Sequence, residues 1–207
     1  MPERAALPRE FFARGAQSLA PALLGGRLIH VTPRGERLAG VIVETEAYVG
    51  IEDRASHSFG GRRSPRNESM YARPGTAYVY FTYGMHHCFN VVCAGEGDPQ
   101  AVLVRALEPD EGLPIMRSLR EVRGTVRSDR DLTSGPGKLC QAMAIGRELD
   151  GTDLCESSVL WIEPGRSPGP ICQGPRIGLG AAGMWKTRRL RWWERDCPFV
   201  STAGRRG

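Results

Sequence analysis

Two glutamates on a strand-like segment are the first candidates for chemistry. Residues 41–48 read VIVETEAY, and their apolar and polar residues alternate with the period of two that is typical of a β-strand. This alternation predicts that Glu44 and Glu46 share one face with Ile42 and Tyr48. A carboxylate among apolar groups has a shifted pKa and is suited to proton transfer. On a solvated strand face, the same two glutamates would have no chemical role.

A second candidate is the aromatic segment of residues 76–92, which reads TAYVYFTYGMHHCFNVV. Two β-type runs flank a turn near Tyr83, Gly84 and Met85, and glycine permits the backbone conformation that such a turn requires. The segment therefore predicts a β-hairpin with bulky side chains at its tip. An exposed Tyr83 there would contact a partner molecule; alternatively, it folds back onto the core.

The strand that follows contains an unusual charge. Residues 101–107 read AVLVRAL, a nearly continuous apolar run that is interrupted by Arg105. An arginine inside a buried strand needs a carboxylate or phosphate partner, because an unpaired buried charge is very costly. We expect Glu46 to be that partner.

The remaining patterns predict the elements that position these residues. Residues 49–75, rich in Gly, Arg, Ser and Pro, form a long loop of the kind that is usually functional or disordered, and its place between the two candidate segments favours function. Residues 178–183 (GLGAAG) match a dinucleotide fingerprint but lack a following βαβ unit. Helices are expected at residues 11–24, with a break or a second short helix at Pro21, and at 110–122 and 135–145. Further strands are expected at 28–31, 36–48, 159–163, 175–179 and 189–193.

Length and composition favour one α+β domain that spans residues 1–207, with an antiparallel sheet and peripheral helices. The hydrophobic fraction of 41% and charged fraction of 25% are ordinary for a soluble protein. No apolar run approaches the ~20 residues of a membrane span, and the N-terminus lacks a signal-peptide pattern. We therefore expect no membrane association and an intracellular location, in the cytoplasm or in the nucleoid if the source is bacterial.

The charge balance permits a polyanionic partner without requiring one, since the net charge is +5 and the pI about 9.1. The six cysteines form no C-x-x-C pair, and neither they nor the four histidines have zinc spacing. We expect reduced cysteines, no metal and no cofactor. Several arginines lie beside the glutamate strand and the hairpin, namely Arg54, Arg62, Arg63, Arg66 and Arg73.

At Glu46, Tyr48, His57, the YVYFTYG hairpin and the string VRALEP, the sequence resembles the alkyladenine (3-methyladenine) DNA glycosylase family, which includes the human alkylpurine DNA glycosylase. The resemblance extends from FFARGAQSLAPALLG through SGPGKLCQAMAI and PRIGLG to PFVS. It implies a monofunctional enzyme of base excision repair that flips alkylated or deaminated purines out of double-stranded DNA. Expected substrates are 3-methyladenine, 7-methylguanine, hypoxanthine and ethenoadenine.

The resemblance also implies the fold and the catalytic residues. The fold would be a mixed domain with a curved antiparallel sheet, from which the hairpin protrudes into the minor groove. Glu46 would be the general base that activates the attacking water, which Arg105 and the carbonyl of Ile177 would help to hold. Direct attack by water agrees with the lysine content, since Lys138 and Lys186 are the only lysines and both lie outside the candidate segments.

The resemblance further implies a base pocket and a DNA wedge, in a protein that acts as a monomer. Tyr48, His57 and Tyr80 would contact the extruded base, and Asn90 would crowd the amino group of a guanine. Tyr83 would fill the gap left by the flipped nucleotide, with Met85 beside it. The alternative is a non-catalytic protein that binds damaged DNA in the minor groove through the hairpin and the basic surface alone.

Overall fold

The computed structural model describes residues 5–82, 84–122 and 124–201. These residues form an antiparallel sheet, five α-helices and short 3₁₀ turns. The strands are β1 (Arg27–Val31), β2 (Arg37–Tyr48), β3 (Ala77–Thr82), β4 (His86–Cys93), β5 (Gln100–Glu111), β6 (Leu160–Glu163), β7 (Ile171–Gly174) and β8 (Arg191–Glu194). The helices are α1 (Arg9–Phe12), α2 (Ala16–Ala22), α3 (Leu113–Glu121), α4 (Arg130–Thr133) and α5 (Pro136–Ala142).

The sheet is curved and antiparallel, with β2 and β5 at its centre. Its strands follow the order β3-β4-β5-β2-β1-β6, and β8 pairs with both β2 and β7. Helices α2, α3 and α5 contribute apolar side chains to the core cluster that covers one face of the central strands. The predicted α+β class and its antiparallel sheet are confirmed. In the described part of the chain, no helix is long and apolar enough to cross a membrane.

The pairing of β2 with β5 has a register shift between Ala39 and Gly40 and, further along, two compensating bulges. Val43 is an extra residue on β2 and Arg105 an extra residue on β5, so the strands are back in step beyond them. A bulge bends its strand and redirects a side chain. The paired residues on either side of the bulges are Ile42 with Leu107, Glu44 with Ala106, and Thr45 with Val104.

The bulge on β2 changes which residues share a face. Ile42 packs in the main core cluster together with Ala47, whereas Val43 belongs to a separate cluster with Val200. The prediction that Ile42 lies on the face of Glu44 was therefore wrong. Strict alternation assumes a regular strand, and the extra residue at position 43 shifts the pattern by one.

The hairpin of β3 and β4 is confirmed, with register from Ala77 opposite Val91 to Thr82 opposite His86. Its turn contains Gly84 with a φ of 66°, in the left-handed region that glycine adopts readily. Tyr83 lies outside the described residues.

Two other boundaries differ from the predictions. The helical break falls at residues 13–15, and Pro21 lies inside the second helix; the amide of Ala16, the first residue of that helix, donates to the side chain of Gln100 (3.0 Å). The predicted strand at 175–179 is instead a loop, since Pro175 has no N–H to donate and the amide of Ile177 donates to the side chain of Glu46 rather than to a neighbouring strand.

Candidate active site

The cavity

A cavity of about 420 Å³ opens beside the central strands. Its wall combines side chains of β2 to β5 with the loop after β2 and with residues 177–182. The GLGAAG segment thus contributes to this wall, although the sequence pointed to no role for it. The six predicted residues that line the cavity are Tyr48, His57, Tyr80, Asn90, Arg105 and Ile177.

The buried carboxylate Glu46

Glu46 is completely buried beside the cavity and accepts three contacts. The Ile177 amide donates to Oε1 (2.7 Å), the Tyr48 hydroxyl donates to Oε2 (3.0 Å), and the Arg105 Nη1 lies 3.1 Å from Oε1. The expected pairing of Arg105 with Glu46 is confirmed. The carbonyl of Ile177 was expected to help hold the attacking water. The structure adds a different contact, in which the Ile177 amide donates to Glu46.

The surroundings of Glu46 raise the pKa of its carboxyl group above the usual value. Burial is the largest cause, and the negative charge of Glu44 acts in the same direction. The charge of Arg105 and the hydrogen bond from Ile177 oppose the rise without cancelling it. The carboxylate is therefore a better proton acceptor than an exposed glutamate.

The bulge at Arg105 directs its guanidinium between two buried carboxylates. Nε contacts Glu44 Oε1 at 3.0 Å, while Nη1 contacts Glu46. Both partners are completely buried. The paired charges compensate one another in a place where neither would be tolerated alone.

The walls of the cavity

Tyr48 is held from one side by an ion pair that the sequence did not reveal. The Arg176 guanidinium lies 4.6 Å from the centre of the Tyr48 ring. The same guanidinium contacts both carboxylate oxygens of Asp53, at 2.5 and 2.8 Å, and both side chains are completely buried. Asp53 and Arg176 therefore fix one wall of the cavity. The sequence feature that could have indicated this ion pair is the arginine within the largely apolar string PRIGLG.

His57 is oriented by another residue that was missed. Its Nδ1 is 2.8 Å from the hydroxyl of the buried Tyr78, and its ring meets that of Tyr80 edge-on with 4.5 Å between centres. Burial and the charges of Arg66 and Arg62 lower the pKa of His57 below its usual value. A neutral imidazole is thus favoured in the cavity.

Asn90 is fixed by its neighbour across the hairpin, since its side-chain amide donates to the Tyr78 carbonyl at 3.0 Å. This bond determines which way the amide points. Of the two predicted intercalating residues, Met85 is not among the residues that line the cavity. Met85 is 57% exposed near the end of the hairpin, and Phe81 is also exposed there. The expectation for Tyr83 falls on a residue outside the described ranges.

Across residues 5–82, 84–122 and 124–201, no three or more His, Cys, Asp or Glu side chains are grouped as a metal site requires. The prediction of a metal-independent site rests on the sequence and stays a prediction.

Comparison with known proteins

Residues 10–198 match the family model described as Methylpurine-DNA glycosylase (MPG). The chain therefore belongs to the methylpurine-DNA glycosylase family, and it is a DNA glycosylase, an enzyme that hydrolyses N-glycosyl bonds. The family resemblance and the enzyme class expected from the sequence are both confirmed.

Individual relatives agree with this assignment. The chain is 48% identical over 204 residues to the DNA-3-methyladenine glycosylase of Homo sapiens. This match covers 95% of the present chain and 68% of the human protein. It is 47% identical to the mouse protein of that name, of which it spans 61%. A putative 3-methyladenine DNA glycosylase of Desulfitobacterium hafniense (strain Y51) is 44% identical, and the match covers 94% of this chain and 98% of that protein.

Proposed function

We propose that the protein releases alkylated or deaminated purines from double-stranded DNA as the first step of base excision repair. Its substrates would be 3-methyladenine, 7-methylguanine, hypoxanthine and ethenoadenine. The observation that carries this proposal is the buried, hydrogen-bonded carboxylate of Glu46 beside an aromatic cavity of about 420 Å³. The names of the relatives support the 3-methyladenine substrate.

A purine inside a duplex cannot reach this carboxylate, so the nucleotide must be flipped out. Extrusion costs a few kcal/mol and costs least at damaged pairs. Stacking of the extruded base on the rings of Tyr48, Tyr80 and His57 in the cavity would offset this cost, since stacking contributes about 1–3 kcal/mol per base. Alkylated purines are electron-poor and should stack best on tyrosine, which favours damaged bases over normal ones.

Cleavage would proceed by attack of water on the sugar carbon C1′. As the bond from C1′ to the purine nitrogen breaks, positive charge develops on the sugar, and a nearby carboxylate stabilises it. Glu46 accepts the proton of the water while the oxygen bonds to C1′. Cationic 3-methyladenine departs as a neutral base, whereas hypoxanthine requires a proton from an acid. Among the described residues that line the cavity there is no lysine, which supports water rather than an amine as the nucleophile.

A base-release panel tests this proposal. Duplexes that carry one 3-methyladenine, 7-methylguanine, hypoxanthine or ethenoadenine should lose the base and become sensitive to alkali, whereas the matched undamaged duplex should stay intact. Binding to the lesion duplexes without any release would favour the non-catalytic alternative.

The exposed end of the hairpin is proposed to enter the minor groove, with Tyr83 and Met85 as the wedge. A wedge replaces the stacking that the flipped base has lost, so it stabilises a lesion complex more than an undamaged one. One chain should suffice, because a single chain supplies every cavity-lining residue named above.

Replacing Tyr83 by Ala should weaken binding to a hypoxanthine duplex about 10-fold or more and binding to undamaged DNA by less than about 3-fold. Fluorescence anisotropy titrations would measure both affinities and the expected one-to-one stoichiometry. Val159→Ala is a suitable control, because Val159 is an exposed apolar residue beside β6, at the opposite end of the sheet order from β3. Equal weakening on both duplexes would exclude the wedge.

A further inference from the structure

We infer that Glu44 is a positioning residue for Glu46. It holds in place two donors that orient Glu46, one from the main chain (the Ile177 amide) and one from a side chain (Arg105). The inference rests on the proposed role of Glu46 as the general base. It assigns a function to the first glutamate of the string Glu44-Thr45-Glu46, which the sequence pattern does not distinguish from the second. Its basis is a set of hydrogen bonds and one ion pair that connects Glu44 to Glu46 along two routes, through Arg105 and through Arg191 with the loop at Ile177.

Glu44 is completely buried and accepts four hydrogen bonds. Its Oε1 accepts from Arg105 Nε, Arg191 Nη1 and Ser201 Oγ, each at 3.0 Å. Its Oε2 accepts from the Ser201 amide at 2.8 Å. A carboxylate bound from several directions in a packed interior has one orientation, and it can serve as a fixed anchor for the donors around it.

The first route from Glu44 to Glu46 runs through Arg105. Its guanidinium is planar, with the N–H groups in a rigid fork. Because Nε is fixed by Glu44, the direction of Nη1 toward Glu46 (3.1 Å) is fixed as well. A guanidinium without Glu44 could rotate about its chain and leave Glu46 with one donor fewer.

The second route runs through Arg191 on β8. Nη1 of Arg191 contacts Glu44, and its Nε donates to the Pro175 carbonyl at 2.9 Å. Two residues further on, the Ile177 amide donates to Glu46 at 2.7 Å. Glu44 thus holds, through one arginine each, the side-chain donor and the main-chain donor of Glu46.

The residues near the end of the described chain complete this anchor. Ser201 supplies two of the four hydrogen bonds to Glu44. The preceding Val200 is buried in a small apolar cluster with Val43 and Ala106. Val43 is the bulged residue next to Glu44, so the segment that ends at Ser201 packs directly against the irregular part of β2.

Replacing Glu44 by Gln should lower the single-turnover rate of base release by about 10- to 100-fold, because small displacements of a catalytic group have effects of this size. The rate would be measured with saturating enzyme on a duplex that contains 7-methylguanine. Ser201→Ala, which removes one hydrogen bond to Glu44, should lower the rate by several-fold. Glu194→Gln is the matched control, because Glu194 is also buried on the sheet and pairs bidentately with Arg166, which binds away from Glu46. Its rate should change by less than about 3-fold.

A double variant distinguishes positioning from a general structural effect. In the Glu46→Gln background, Glu44→Gln should cause little further loss, because its effect passes through Glu46; independent effects would multiply. The charged and titratable groups that act on Glu46 are Arg105, Glu44, Tyr48 and Cys88. Because Glu44 and the two donors that it positions, Arg105 and the Ile177 amide, all act on the pKa of Glu46, Glu44→Gln should also shift the acid side of the pH–rate profile.

The inference is overturned if Glu44→Gln keeps the rate and the pH profile of the parent, or if its effect multiplies with that of Glu46→Gln. If Glu44→Gln does not fold, an unchanged rate for Ser201→Ala overturns it and a several-fold loss supports it. A fully active Glu46→Gln variant would instead remove the proposed base itself, so the two failures are distinguishable.

Discussion

Replacing Glu46 by Gln should reduce the rate of base release by about 10²- to 10⁴-fold, the usual contribution of a general base, while binding to lesion DNA changes by less than about 3-fold. Glutamine has nearly the same size, and its amide oxygen can still accept the hydrogen bond from Ile177. It cannot accept a proton from water. Single-turnover release from a hypoxanthine duplex and anisotropy titration of the same duplex would measure the two quantities separately.

Glu108→Gln provides the control for this experiment, because Glu108 is a half-buried glutamate of β5 that pairs with Arg166. A Glu46→Gln variant that releases base at the parental rate would exclude Glu46 as the base. The pH dependence gives a second reading of the same group. The active form is the deprotonated carboxylate, and burial raises its pKa, so the rate should rise with pH and reach its plateau above the range of an exposed glutamate.

Replacing Arg176 by Met should lower the free energy of unfolding by about 3–5 kcal/mol, because it leaves the carboxylate of Asp53 buried without its partner. Urea titration followed by circular dichroism would measure this loss. Base release should also fall, since the guanidinium that packs on the Tyr48 ring is removed. The ion pair thus connects the stability of the fold to the shape of the cavity.

Arg63→Ala is the matched control for Arg176→Met. Arg63 pairs with Glu68 at the surface, where both side chains are 56% exposed, and such pairs contribute about 0–1 kcal/mol. Combining Arg176→Met with Asp53→Asn should cost less than the sum of the single changes, because neither partner is then a buried unpaired charge. A loss of less than about 1 kcal/mol for Arg176→Met alone would contradict the prediction.

The features predicted correctly from the sequence are those that depend on local pattern. Alternation and turn chemistry were sufficient for β2, for the hairpin of β3 and β4, and for the strand around Arg105. The cost of an unpaired buried charge was sufficient to predict that Arg105 contacts Glu46. The family assignment depended on ordered strings such as YVYFTYG and VRALEP.

The features that were missed depend on contacts between distant segments. Arg176 and Asp53 are 123 positions apart, and nothing local to either residue indicates the other. The four contacts that distinguish Glu44 from Glu46 come from β5, β8 and Ser201, so they exist only after the sheet has formed. The bulge at Val43 was missed because alternation presupposes a regular strand.

At the paired bulges of β2 and β5, the residues that pair the two strands differ from the residue that contacts Glu46. On either side of Val43 and Arg105 the two strands run in step, so the sheet would pair as well with both residues absent. One of these two surplus residues is the arginine that contacts Glu46. The charge that contacts Glu46 is therefore carried by a residue that has no partner in the ladder of β2 and β5.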